Sequence, residues 1–173
     1  MGFKDSSHTV TVLNVNKMKC ELPGFKGLVG DARAMPQFKP HEFDVVFSNS
    51  VIEHVGTIED QRSMAEEVRR VGKFYFVQTP NFFFPIEPHF LFPFFHWLPL
   101  TMRAWLLSRF DLGWYKKAGS LDEAISTVRQ IRLLTYRELK HLFPEAMIVR
   151  ERFLGLTKSF MVIKNVDYAS GSV

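Results

Sequence analysis

Three apolar runs in this chain each stop at polar residues, and that pattern limits the fold more than any other feature. Residues 27–30, GLVG, stop at Asp31; residues 43–48, FDVVFS, stop at Asn49; residues 73–78, KFYFVQ, stop at Thr79-Pro80-Asn81. An earlier run, TVTVLNV at 9–15, is β-branched and apolar and carries Asn14 near its end. Runs of this length and composition between turn residues predict strands. A helix is expected between the third and fourth. Thr57 opens it with Asp60 three residues on, its apolar positions Ile58, Met64, Ala65, Val68 and Val71 share one face, and Gly72 closes it. Strands alternating with helices imply a largely parallel sheet with helices on its faces. Ligands of such sheets bind beyond the carboxyl ends of the strands. Asn14, Asp31, Ser48, Asn49 and the 79–81 turn are therefore expected along one edge.

The second half differs. Residues 82–115 hold all three tryptophans, eight of the eighteen phenylalanines and four of the nine prolines, which marks an aromatic insertion with a rigid, irregular path. Ser120 with Glu123 and Thr135 with Glu138 are capping-box pairs that predict helices near 121–131 and 136–142. Residues 146–153 and 158–164 read as strands joined at Gly155, hence an antiparallel hairpin. The whole, 173 residues, is long enough for one domain and short for two.

Composition excludes several classes. At 46% hydrophobic and 23% charged residues, the chain is neither disordered nor collagen-like nor a coiled coil. The net charge of +4 comes from scattered Lys and Arg; Lys116-Lys117 and Arg150 with Arg152 read as solvated faces, so no nucleic-acid partner is expected. The single cysteine, Cys20, excludes an internal disulfide framework and points to a reduced, cytoplasmic setting. Residues 1–8 lack the apolar core of a signal peptide, and the small polar end, YASGSV, is expected to fray. The longest apolar stretch, 90–107, is broken by Pro93, His96, Pro99 and Arg103, so no membrane span is expected.

GDARAMP at 30–36, FDVVFSNSVIEHV at 43–55, VGKFYFVQTPN at 71–81 and the tail LLTYRELKHLFPEAMIVRERFLGLTKSF at 133–160 together resemble a class I S-adenosylmethionine-dependent methyltransferase of small bacterial type. The resemblance implies an α/β, Rossmann-like, mostly parallel three-layer sheet ending in an antiparallel hairpin. It implies S-adenosylmethionine as cofactor and a small-molecule acceptor. By position, Asp31 takes the adenine-amine contact with the Ala32 N–H beside it, Asn14 takes the slot of the ribose-binding acid, and Ser48 and Asn49 lie under the methionine moiety. An amide at 14 accepts more weakly than a carboxylate would. The family's first strand and glycine-rich loop would precede residue 9, so the expected fold is truncated at its N-terminus. Without that central strand, either two inner edges stay unpaired or strands 9–15 and 43–48 pair directly. The link between the first two strands is also short for a parallel crossover. Two readings stay open: a fragment of a longer domain, or a reduced protein that has lost cofactor binding.

Each candidate residue has a plain structural reading beside the functional one. Asp31 is an adenine contact or a turn residue, and Asn14 a ribose contact or a strand end. His54 is a general base or a loop anchor. His89 is an acceptor-side base or binder, which Glu87 would orient, or a hydrogen-bonded loop residue. Glu53, His54, Glu87 and His89 lack metal-ligand spacing along the chain, and no metal is expected. The insertion is a packed lid, the wall of a pocket for an apolar acceptor, or a surface that rests on a membrane through Trp97, Trp105 and Arg103. The last leaves a competing function, a non-catalytic protein that docks on a membrane or protein partner.

Overall fold

The computed structural model describes residues 9–19 and 22–165. The N-terminal eight residues, Cys20 and the YASGSV end lie outside these, and so do the expectations placed on them.

In chain order the elements are β1 (Val10–Asn14), β2 (Phe25–Val29), β3 (Phe43–Asn49), α1 (Ile58–Val71), β4 (Gly72–Pro80), the two-residue strands β5 (Ile86–Glu87) and β6 (Phe92–Pro93), α2 (Leu100–Arg109), α3 (Leu121–Arg129), α4 (Tyr136–Leu142), β7 (Met147–Phe153) and β8 (Leu156–Lys164). Helix α1 starts where its capping box predicts. The Thr57 side chain accepts from the Asp60 N–H (3.2 Å), and the Asp60 carboxylate accepts from the Thr57 N–H (2.8 Å). Thr135 and Glu138 close the same reciprocal box on α4. At α3 the box is only half formed: Ser120 accepts from the Glu123 N–H, but the Glu123 carboxylate takes the Gly119 N–H instead. The hairpin turns at Leu154-Gly155, with φ of 49° and 81°, the left-handed pair that a two-residue hairpin requires.

The main sheet has the order β3-β4-β8-β7. Strands β3 and β4 are parallel, and β8 runs antiparallel to both β4 and β7. Three of the four thus point one way and only β8 is reversed. Strands β1 and β2 form a separate parallel pair, from Val10↔Phe25 to Asn14↔Val29. The link between them makes the crossover without a helix among its described residues. Strands β1 and β3 do not pair. Of the two outcomes expected for these edges, the first holds among the described residues: they stay unpaired, and apolar side chains there lie exposed (Val29 62%, Val45 60%, Phe47 71%).

One face of the main sheet carries Val46, Tyr75, Val77, Phe160 and Val162, packed under Met64, Ala65 and Val68 of α1 and Leu139 and Leu142 of α4. The opposite face carries Val45, Phe47, Phe74 and Phe76, with Phe47 and Phe76 stacked at 5.4 Å. None of these four belongs to a packed core cluster among the described residues. Among the described residues no third layer covers this face, and the short β1–β2 link shows no helix there. A second core lies in the insertion, where Phe90, Phe95, Ala104 and Leu107 pack against Ala124 and Val128 of α3. The insertion's path is irregular as expected, but it also contains the ten-residue α2.

Candidate active site

The chain leaves β3 through Ser50, which has φ 52° and donates its hydroxyl to Gln78 Oε1 at 2.9 Å. It then enters a single 3₁₀ turn, Ile52–His54. Gln61 of α1 pins that turn: its amide nitrogen donates to the Ile52 carbonyl (2.9 Å) and to the Arg132 carbonyl (2.8 Å). The Arg132 N–H closes the brace on the Glu53 carbonyl at 2.8 Å. Glu53 is fully buried. Its Oε2 accepts from Thr79 Oγ1 at 2.9 Å, and its Oε1 has no partner.

The insertion delivers the facing group. Glu87 is buried, and its Oε2 accepts the backbone N–H groups of His89 (2.8 Å) and Phe90 (2.7 Å). Its Oε1 lies 2.5 Å from His89 Nδ1, so Glu87 orients His89 as the sequence suggested. Gly113 backs this loop. A Cβ there would stand 2.5 Å from the His89 carbonyl oxygen, and its φ is +53°, so glycine alone fits without strain. The rings of His54 and His89 meet edge to face at 4.6 Å. Glu53, His54 and His89 each place a ligand-type atom within 4.8 Å of the other two. Separation along the chain had hidden that convergence, and the absence of metal-ligand spacing does not decide the question.

Burial pushes the Glu53 carboxyl above its ordinary pKa, against the bonds it accepts. Burial and the charge of His89 lower His54. For His89 burial works against the cation, but the Glu87 bond and the Glu53 charge outweigh it and the pKa is raised.

A cavity of about 460 Å³ opens at the carboxyl ends of β3 and β4. Its walls include the apolar Phe84, Ile86, Leu91 and Trp114, with Ser50, Gln78, Asn81, His89, Lys158 and Ser159 as polar points. A second cavity, of about 330 Å³, lies between the insertion, at Glu87, His96 and Arg103, and the 128–138 segment, at Arg132 and Glu138.

Of the residues expected to hold a cofactor, Asn14 and Asn49 are exposed, Asp31 and Ala32 half-buried and Ser48 buried. Asp31 receives Arg33 on both oxygens: Nε at 3.0 Å from each, and Nη2 at 2.6 Å from Oδ2. Arg33 also reaches the Val55 carbonyl (3.2 Å) and Asp60 Oδ1 (2.9 Å). That reach sets the tip of β2 beside the loop that follows the 52–54 turn. The Ala32 N–H donates to nothing among the described residues. Asn14 Oδ1 accepts from the Asn16 N–H at 3.0 Å, a local turn. Ser48 is buried with its hydroxyl unpartnered, while Asn49 is exposed. The structure thus brings His54 and His89 together, and neither Asp31 nor Asn14 lines either cavity.

Sequence reasoning missed Gln61 and Arg33. Gln61 had a readable signal, a polar residue at a position of α1 that falls on its apolar face. Arg33 pairs with Asp31 only two residues away, but its reach to Asp60, 27 residues on, had no signal in the sequence.

Residues 4–74 match the family model described as a methyltransferase domain. That model and the strand order with its reversed β8 agree. The chain is similar in fold to S-adenosylmethionine-dependent methyltransferases, and its first part matches the methyltransferase-domain model. Among solved structures, a SAM-dependent methyltransferase from Methanosarcina mazei is 14% identical, over 90% of this chain and 80% of its own, with a TM-score of 0.50. A protein from Pyrococcus horikoshii is 17% identical over 92% and 72%, with a TM-score of 0.53. A protein from Rhodobacter sphaeroides described as a putative Zn-dependent alcohol dehydrogenase is 12% identical over 90% and 74%, with a TM-score of 0.51. At these identities the likeness is one of fold. No curated protein matches the sequence significantly. No helix among the described residues is long and apolar enough to cross a membrane.

Proposed function

We propose that this methyltransferase moves a methyl group from S-adenosylmethionine to a small apolar acceptor held in the 460 Å³ cavity. The observation that carries the reading is the cavity's place: it opens at strand ends, has Phe84, Ile86, Leu91 and Trp114 in its walls and has His89 among its polar points.

The described residues fit the cofactor in part. Adenine offers a donor amine beside an acceptor ring nitrogen. Asp31 and the unengaged Ala32 N–H supply the complementary acceptor and donor. The buried, unpartnered Ser48 hydroxyl is a further polar point at the tip of β3. Asn14 would reach a ribose hydroxyl by giving up its bond to Asn16. The bound cofactor would supply an electrophilic methyl on a sulfonium. The chain's own work is to keep the acceptor dry, to align it for in-line attack, and to take its proton where the attacking atom carries one. His89, oriented by Glu87 and backed by His54, stands where that proton would leave.

Titration calorimetry with S-adenosylhomocysteine tests the cofactor half. Binding is expected, and Asp31→Ala should weaken it about ten-fold, the worth of one hydrogen bond to a charged group. Unchanged affinity in Asp31→Ala would remove Asp31 from the site. Ile86→Glu tests the acceptor half: it should cut methyl transfer to apolar acceptors and leave S-adenosylhomocysteine affinity intact.

A second reading has its own observation. Trp97, Trp105 and Trp114 are 45%, 52% and 80% exposed, an arrangement suited to resting the insertion on a lipid surface. Sedimentation with mixed phosphatidylcholine and phosphatidylglycerol vesicles tests it. Loss of binding in a Trp97→Ser, Trp105→Ser variant would support the reading, and no binding by the unaltered chain would end it.

A further inference from the structure

We infer that Glu53, His54 and His89 form a binding site for a divalent transition-metal ion of the zinc class. Two imidazoles and one carboxylate are a donor set that such ions accept, and three protein ligands leave coordination positions open.

Three observations carry the site. The donor atoms of the three residues already lie within 4.8 Å of one another. Bonds of about 2.1 Å need donors about 3–3.5 Å apart, so closure asks only for side-chain rotation. His54 is exposed and is the arm free to make it. Glu53 is fully buried, and its Oε1 has no hydrogen-bond partner. A buried carboxylate oxygen left unpaired is costly, and a cation at the mouth of the cluster removes that cost. The supporting groups are also those a metal site needs. Glu87 holds His89 Nδ1 at 2.5 Å, which leaves Nε2 as the nitrogen able to take an ion, and Thr79 fixes the other oxygen of Glu53 at 2.9 Å. A carboxylate behind a ligating histidine and a hydroxyl behind a ligating carboxylate are the outer contacts that orient such ligands. Glu87 is itself fixed by two backbone N–H groups, so the arrangement is rigid on the insertion side.

The competing account is an ion cluster without metal, in which a protonated His89 sits between Glu53 and Glu87. It accounts for the His89–Glu87 bond. It leaves Glu53 Oε1 unpaired and gives His54 no part.

Binding of the ion stands apart from the proposed methyl transfer; only its use there rests on that reading. Because His89 also walls the apolar cavity, the ion's open positions would meet an acceptor that carries a hydroxyl or carboxylate beside an apolar body. An acceptor hydroxyl bound to the ion loses its proton to solvent more readily, and the ion then replaces His89 as the means of activating it.

The test strips the protein with a chelator, then titrates Zn²⁺ by calorimetry and Co²⁺ by visible absorption. One equivalent should bind, and Co²⁺ should give the d–d bands of an ion in a low-symmetry protein site. His54→Ala, an exposed change that spares the core, and His89→Gln should each weaken binding at least about ten-fold. His41→Ala, away from the cluster, should not. Failure of Zn²⁺ and Co²⁺ to bind, or binding that survives both His54→Ala and His89→Gln, overturns the proposal. S-adenosylhomocysteine binding measured on the same samples separates the two readings. Metal bound without it sinks the methyltransferase reading and leaves the ion site, and the reverse result sinks the ion site alone.

Discussion

The flank made by β1 and β2 and the cluster under the insertion are built in opposite ways. On the flank, charged and amide side chains find local partners while part of the apolar surface lies open. Asp31 is engaged by Arg33 and Asn14 by Asn16, while Val29 is 62% exposed. Under the insertion, apolar groups are packed and polar ones are left wanting: Phe95 and Val128 are buried, and Glu53 Oε1 is buried without a partner. Unsatisfied polar atoms in a rigid, dry setting await something that binds. Exposed apolar edges await something that covers them. The first condition suits chemistry and the second suits assembly.

The sharpest way to break this contrast is to measure stability on both sides. Phe143 is fully buried between α4 and the sheet, and Phe143→Ala should lower the unfolding free energy by about 3–5 kcal/mol in urea denaturation. Val29→Ala on the flank should change it by less than about 0.5 kcal/mol. A large loss at Val29 would mean that the flank is packed after all.

Gly113→Ala comes next in size. The new methyl would meet the backbone of His89 and Phe90, and the residue would be held at positive φ, so a loss of about 2–3 kcal/mol is expected. Because the clash falls on the His89 carbonyl, the variant should also weaken any ligand that His89 helps to hold. Loss of stability with ligand binding intact would show that the loop moves as a unit and that Gly113 serves packing alone.

Much of the frame was legible in the sequence, and the reasons are local. Thr57 with Asp60 announces α1, Thr135 with Glu138 announces α4, and Leu154-Gly155 sits at the hairpin turn, because caps and tight turns are decided within four residues. The Glu87–His89 pair was legible for the same reason, being two residues apart. The convergence of Glu53 and His54 with His89 was not. It depends on Gln61 tying the 52–54 turn to Arg132, a contact spanning 71 residues, and on the insertion folding back over the strand ends. That no third layer covers the far sheet face among the described residues was not legible either, since periodicity says where a sheet face is apolar but not whether a helix arrives to cover it.

Acid titration extends the comparison. Burial acts to raise the Glu145 carboxyl, but the Arg69 guanidinium (2.8 Å), its own backbone and the Tyr75 hydroxyl (3.0 Å) outweigh it and hold the pKa below the ordinary 4.5. A carboxyl lowered on folding contributes stability that is complete above its ordinary value and lost as the pH falls through the folded one. Glu145→Gln should therefore cost stability at neutral pH, by no more than about 1 kcal/mol because the pair is partly exposed. The cost should vanish well below pH 4.5. A cost independent of pH would assign Glu145 a packing role.

Asp31 should give the smallest effect, and salt distinguishes it from Glu145. Arg33 lowers the Asp31 carboxyl from its ordinary 3.8, chiefly through their hydrogen bonds. The sign is the same as for Glu145, with stability present above 3.8 and lost as the pH falls through the lowered value. Both partners lie in the open, with side chains 37% and 40% exposed. Solvent and ions screen such a pair, and a contribution near zero to about 0.5 kcal/mol is expected at low ionic strength, fading toward 1 M salt. Asp31→Asn should thus be nearly silent in urea denaturation at neutral pH. It should still weaken S-adenosylhomocysteine if the carboxylate is the adenine acceptor. Arg33→Ala should then do the reverse, freeing the lone pairs that Arg33 occupies and tightening the nucleoside. If Asp31→Asn proved as costly as Phe143→Ala, the flank would share the core's cooperativity and the contrast between the two regions would be false.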